Sequence, residues 1–203
     1  MHRHPRARLA TVLALVISLA GLIPAGAAAS TALLVDMDNG FDFHSATQTV
    51  ARGGSIEWRN KGSQPHDVKS NLSGYFTSPG GSGGMGKEET YTKSFKQAGT
   101  FSYYCRLHED IGMQGKIVVP VRVTRSGSTF TITVSSSSST GKWRNKVQVR
   151  KPGSSGWTTL STTSYRSVTY SSSKTGTYKF RSAVKNSDTG ATSGYSPTVS
   201  KTR

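Results

Sequence analysis

The chain has 203 residues, with 26 Lys plus Arg against 10 Asp plus Glu, a net charge of +16, 22 glycines and one cysteine. A single cysteine excludes an intramolecular disulfide, and this length allows one large domain or two small ones. The charge is uneven: residues 31–120 hold nine basic and nine acidic residues, whereas residues 121–203 hold fourteen basic residues against the lone acid Asp188, a local net charge of +13.

Residues 1–29 read as an export signal. His2, Arg3, His4, Arg6 and Arg8 form a basic start, Leu9 to Ile23 an apolar run, and Pro24 to Ala29 a small-residue stretch suited to cleavage after Ala27 or Ala29. A retained membrane anchor is the alternative, but the apolar run falls short of the roughly 20 residues that span a bilayer. No Arg-Arg pair is present and no cysteine lies near the cleavage site, so the general secretory route, without a lipid anchor, is expected. The expected location is secreted, either extracellular or bound to the cell wall.

Residues 30–120 alternate short apolar segments with Gly, Asn and Pro turns. Ala32 to Val35 is apolar, Gln48 to Val50 leads to the turn Arg52-Gly53-Gly54, and Ser55 to Arg59 places Ile56 and Trp58 on one face of a strand. The turn-rich Asn60 to Pro65 then delivers His66. The glycine-rich Pro79 to Gly86 lacks the lysine and serine of a phosphate-binding loop, and its Met85 reads as exposed filler or a spare soft ligand. Tyr91 to Phe95, Thr100 to Cys105 and Lys116 to Val119 read as strands, with Phe101, Tyr103 and Cys105 facing the core. Asp36 to Asp42 invites a calcium reading, but Gly40 stands where a third ligand is needed, so a plain turn is expected, and nearby His44 reads as structural or exposed.

The chemistry concentrates in Tyr103 to Met113. Cys105, His108 and Met113 bring a thiolate, an imidazole and a thioether into one short loop. That soft combination suits copper. Two imidazoles and a thiolate with a weak axial thioether accept both copper oxidation states, and His66 is the candidate that completes the set. Zinc is the rival metal, yet methionine serves it poorly and paired Cys or His spacings are missing.

Residues 30–120 resemble the plastocyanin/pseudoazurin branch of the cupredoxins. The resemblance rests on Pro65-His66 with Val68, on Phe101 to Cys105, on His108 and Gly112-Met113, on Gly115 to Val119, and on the upstream Val50, Gly54, Ile56 to Trp58 and Asn60. It implies a Greek-key β-sandwich holding one type I copper on His66, Cys105, His108 and Met113, with Tyr104 as a candidate electron path. Two positions depart from the family pattern: Asp67 follows the first histidine where Asn is usual, and Arg106 follows the cysteine where Ser or Thr is usual. An ion pair between Asp67 and Arg106 is expected to brace the two ligand loops. The neutral charge of this segment argues against the acidic patches that plant plastocyanins present to photosynthetic partners.

Residues 121–203 alternate cleanly at Thr129 to Val134, Lys146 to Arg150, Ser167 to Tyr170 and Gly176 to Val184, with Trp157 between and Pro197 to Ser200 last. Short strands at near-regular spacing indicate a second β-sandwich, and the segment resembles an immunoglobulin or fibronectin type III module. Its charge suits an anionic cell-wall polymer, lipid or nucleic acid, with nucleic acid the least fitting for an exported protein. The whole is thus expected to be all-β: a cupredoxin domain followed by a smaller basic sandwich. One-electron transfer to a redox partner protein by a secreted blue copper protein is the leading reading. Copper capture or delivery outside the cell, or surface binding with a structural copper, are the alternatives. Four protein ligands leave no open metal position, so no enzyme activity is expected.

Overall fold

The computed structural model describes residues 31–203; the expected export signal lies outside the described residues. Alternating side chains set the strands. In β3 (Ser55–Asn60), Ile56, Trp58 and Asn60 are buried and the residues between them half-buried; in β6 (Gly99–Tyr104), Gly99, Phe101 and Tyr103 point inward. With β1 (Leu33–Met37), β2 (Thr47–Thr49), β4 (Lys69–Ser70), β5 (Thr90–Ser94) and β7 (Gln114–Val119) they form two sheets, of order β1-β3-β5 and β2-β7-β6-β4. β1 runs parallel to β3 and β2 parallel to β7, and the other pairs are antiparallel. Trp58 fills the space between the sheets, 5.3 Å from the Tyr103 ring centre edge-on and 5.6 Å from Tyr91.

The remaining strands are β8 (Arg122–Ser126), β9 (Thr129–Thr133), β10 (Trp143–Arg150), β11 (Thr158–Thr163), β12 (Ser167–Ser171), β13 (Thr177–Asn186) and β14 (Val199–Thr202). They make a three-stranded sheet, β12-β9-β8, and a four-stranded sheet, β11-β10-β13-β14, around Phe130, Ile132, Val147, Val149, Tyr178 and Phe180. β8 and β11 are strands that the apolar pattern does not reveal. Both lie at sheet edges, where β8 buries only Val123 and β11 buries nothing, so neither needs a periodic apolar face.

The two sandwiches are stitched together. Ala98 N–H donates to the Val134 carbonyl at 2.7 Å, Ser136 N–H to that of Lys96 at 2.9 Å, and Thr100 N–H to that of Gly194 at 2.9 Å. Buried Gln97 donates its amide to Ser139 Oγ at 2.9 Å and to Asn145 Oδ1 at 3.0 Å. Tyr75 stacks on Phe101 and meets Trp143 edge-on at 5.0 Å, and Val184 of β13 packs into the first core. Among the described residues, no helix is long and apolar enough to cross a membrane.

Candidate metal centre

His66 reaches the core through a short bridge. Its N–H donates to the Met85 carbonyl at 3.1 Å, and Met85 N–H returns a bond to the His66 carbonyl at 2.6 Å. Met85 is fully buried, which corrects its reading as exposed filler: the glycine-rich loop folds back to pair with the histidine rather than extending into solvent. Gly84 makes this approach feasible. At φ +74° a Cβ there would lie 2.7 Å from the His66 carbonyl oxygen and 2.9 Å from Leu107 Cδ1. Buried Asn60 holds the same loop, donating to the Gln64 and Met85 carbonyls at 2.8 and 2.9 Å.

Cys105 directly follows β6 and is fully buried, as the strand parity predicts. A single 3₁₀ turn, Arg106–His108, then brings His108 back so that its Nδ1 lies 3.5 Å from Cys105 Sγ. Met113 N–H donates to the His108 carbonyl at 3.2 Å, and Cys105 N–H to that of Met113 at 3.0 Å, which closes the loop over a buried Met113. The donor atoms of His66, Cys105 and His108 all lie within 4.8 Å of one another, and the two imidazole centres are 4.8 Å apart.

The electrostatics favour a soft metal there. Both ring nitrogens of His66 are buried without a hydrogen-bond partner, an expensive arrangement that a metal would relieve at the nitrogen bearing the lone pair. Burial, and then the neighbouring His108, push the His66 pKa below its usual value, so a neutral ring is available as a ligand; the Asp38 backbone carbonyl opposes this, though it makes no hydrogen bond of normal geometry. Burial pushes the Cys105 thiol up, partly offset by Asp67 N–H, which donates to Cys105 Sγ at 3.3 Å.

Asp67 is fully buried. Its carboxylate accepts Arg106 N–H at 2.6 Å and pairs with the Arg106 guanidinium, which also donates to the Gly81 carbonyl. The Asp67–Arg106 pair thus ties the His66 segment and the cysteine loop together, and through Arg106 reaches the glycine-rich loop. Tyr104, half-buried, pairs across β4 with Lys69.

Phe41 is the neighbour that the pattern did not reveal. It adopts φ +55° in the Asp38 to Asp42 turn and sets its ring 4.5 Å from His108 and 6.2 Å from His66. The only signal was one large aromatic among turn formers. The same turn places Asp38, Asp42 and His44 together, but all three are on the surface and His44 is already ion-paired with Asp38.

A buried cysteine facing two imidazoles, one with both nitrogens unpartnered, defines the type I copper class of site. Residues 30–120 match the family of copper binding proteins, plastocyanin/azurin family. Lettuce plastocyanin (Lactuca sativa) is 33% identical over 103 residues, covering 43% of this chain and 96% of that protein. Chloroplastic plastocyanin of Tetradesmus obliquus is 30% identical over 91 residues, and the match covers 38% of this chain but only 57% of that protein. A structure of a reduced amicyanin variant is 30% identical, with a TM-score of 0.37, covering 43% of this chain and 81% of the other. The chain belongs to the plastocyanin/azurin family of copper-binding proteins. Its cofactor is copper, and its class is that of electron carriers, not enzymes.

Proposed function

We propose that this protein is a secreted carrier of single electrons that holds one type I copper on His66, Cys105, His108 and Met113. The observation that carries the reading is the convergence of Cys105 and His108 on an unpartnered, buried His66. When bound, copper supplies one-electron chemistry by alternating between Cu(II) and Cu(I). The protein's part is to hold the donors still. The Asp67–Arg106 pair locks the loops that carry His66 and Cys105, the Met113 backbone closes the cysteine loop, and Phe41 covers the imidazoles. A rigid donor set lowers the reorganisation that accompanies each electron exchange.

His108 is the half-exposed ligand, with Leu107 and Ile111 exposed beside it at 37% and 58%. This apolar rim is the expected docking point for a redox partner protein, and half-buried Tyr104 is a second exit. Secretion rests on the basic, apolar and small-residue order of residues 1–29. Residues 121–203 form an immunoglobulin-type or fibronectin-type module that holds the carrier at an anionic surface, a reading supported by seven strands in two sheets and a net charge of +13.

Copper-loaded protein is expected to be intensely blue with narrow hyperfine splitting, and Cys105→Ser to be colourless. A colourless wild type would sink the proposal. Fast electron self-exchange supports a carrier, whereas ready copper loss to a chelator would instead indicate delivery.

A further inference from the structure

Six of the fourteen cations of the second sandwich, Arg144, Lys146, Arg150, Lys179, Arg181 and Lys185, share one sheet face. β10 and β13 pair so that Arg150 lies opposite Lys179, Gln148 opposite Arg181 and Arg144 opposite Lys185. Directly opposed residues share a face, and like charges there are destabilising. Among the described residues no carboxylate pairs with any of these cations; the recorded ion pairs all lie in the first sandwich. Asp188, the only acid of residues 121–203, is taken up with Ser187.

Arg181 is held flat at the centre of the face. Its guanidinium lies 4.0 Å from the Trp157 ring centre and 3.9 Å from that of Tyr195, and Gln148 Oε1 accepts two of its N–H groups at 3.0 and 2.8 Å. Arg150 also sits over Trp157, at 5.0 Å. Alongside, a cavity of about 360 Å³ is lined by Arg150, Lys151 and Lys179 with the hydroxyls of Ser154 and Thr177. Three cations and no acid line it.

We propose that the outer face of the β10–β13 pair, with this cavity, binds a linear polyol-phosphate polymer through its phosphodiester backbone. This deepens, and rests on, the reading of residues 121–203 as an anionic-surface module. Alternate residues along a strand stand about 6.8 Å apart, which lets successive cations of the face meet successive phosphates of a short-repeat phosphodiester chain. Guanidinium forks suit phosphate oxygens. Arg181 and Arg150 lie over the Trp157 ring and Arg181 and Lys146 over that of Tyr195, so these rings present cations rather than the bare stacking platform on which single strands are usually held. One phosphate enters the cavity between Arg150, Lys151 and Lys179, and its neighbours follow the row toward Arg181.

The test titrates labelled poly(glycerol phosphate) against the full-length protein at low salt. Arg150→Ala with Lys179→Ala is expected to weaken binding about tenfold and to lower the salt slope by roughly 1.5. Arg181→Lys keeps the net charge and should still cost about threefold, because lysine lacks the planar fork. The control pair Arg122→Ala with Arg125→Ala, in β8, should change affinity less than about twofold. Equal weakening by control and face variants would overturn this site while leaving the anionic-surface reading intact. Tighter, face-dependent binding of oligothymidylate or polygalacturonate would overturn the ligand class, and no binding of any polyanion by wild type would remove both readings.

Discussion

The two sandwiches solve opposite problems with the same strand geometry. The first is electrically neutral and keeps its chemistry inside: Asp67, His66 and Cys105 are fully buried, and an unpartnered nitrogen of His66 is free to offer its lone pair to a metal. The second carries +13 and keeps its chemistry outside. Its interior holds Phe130, Val147, Val149, Tyr178 and Phe180, while arginines and lysines alternate with them on the outer face. Buried polar groups need tightly specified partners, whereas surface cations need only the strand period to align them. The first unit is therefore sensitive to single substitutions within its core, and the second tolerates them on its working face.

The sharpest way to break that contrast is at Asp67. Asp67→Ala removes the acid that ties the His66 segment to the cysteine loop and leaves Arg106 uncompensated, and is expected to destabilise by about 3 kcal/mol in urea unfolding, with loosened copper binding. A loss below about 1 kcal/mol would show that the buried pair is not what holds the loops. Next comes the seam. Trp143→Ala strips the edge-on partner from Tyr75, and is expected to cost about 2 kcal/mol and to resolve one calorimetric transition into two. Gln97→Ala leaves buried Asn145 Oδ1 without its donor and should cost about 1–2 kcal/mol in the same measurement. If both variants still melted in a single step at the wild-type midpoint, the two units would not be coupled through these contacts.

The smallest effect is a surface one. The hydrogen bond that His44 donates to Asp38, and then the charge of Asp42, raise the His44 pKa above its ordinary 6.5, so this contribution is complete below about pH 6.5 and fades as pH rises through the folded value. The bonds that Asp38 accepts from His44 and from Gly40 N–H lower its pKa below the ordinary 3.8, so that contribution is complete above about pH 3.8 and fades as pH falls through its folded value. A shallow stability maximum between these limits is expected, and His44→Ala should flatten it.

Local order exposed a great deal of this protein. The offsets of Cys105, His108 and Met113 pointed to a soft donor loop because a thiolate, an imidazole and a thioether fall within nine residues, and the fold brings Cys105 and His108 together with His66. Strand parity correctly placed Cys105 inward, and the two departures Asp67 and Arg106 proved to be an ion pair. The long-range relations stayed hidden. Met85 looked like loop filler because its partner is the backbone of His66, and backbone pairing leaves no mark on residue type. Phe41 covers the imidazoles from a left-handed turn that composition does not announce, and β8 and β11 lack an apolar period because edge strands have little to bury.

By itself, then, the sequence determined the kind of chemistry and the two-part all-β character, since ligand type and strand alternation are local properties. Only the tertiary structure decided that His66 would be buried without a partner, that Arg181 would be clamped between Trp157 and Tyr195, and that Val184 of β13 would pack into the first core beside the Gln97 bridge. Each of those depends on which distant segments pack together, and packing is a property of the assembled sheets rather than of any one stretch of chain.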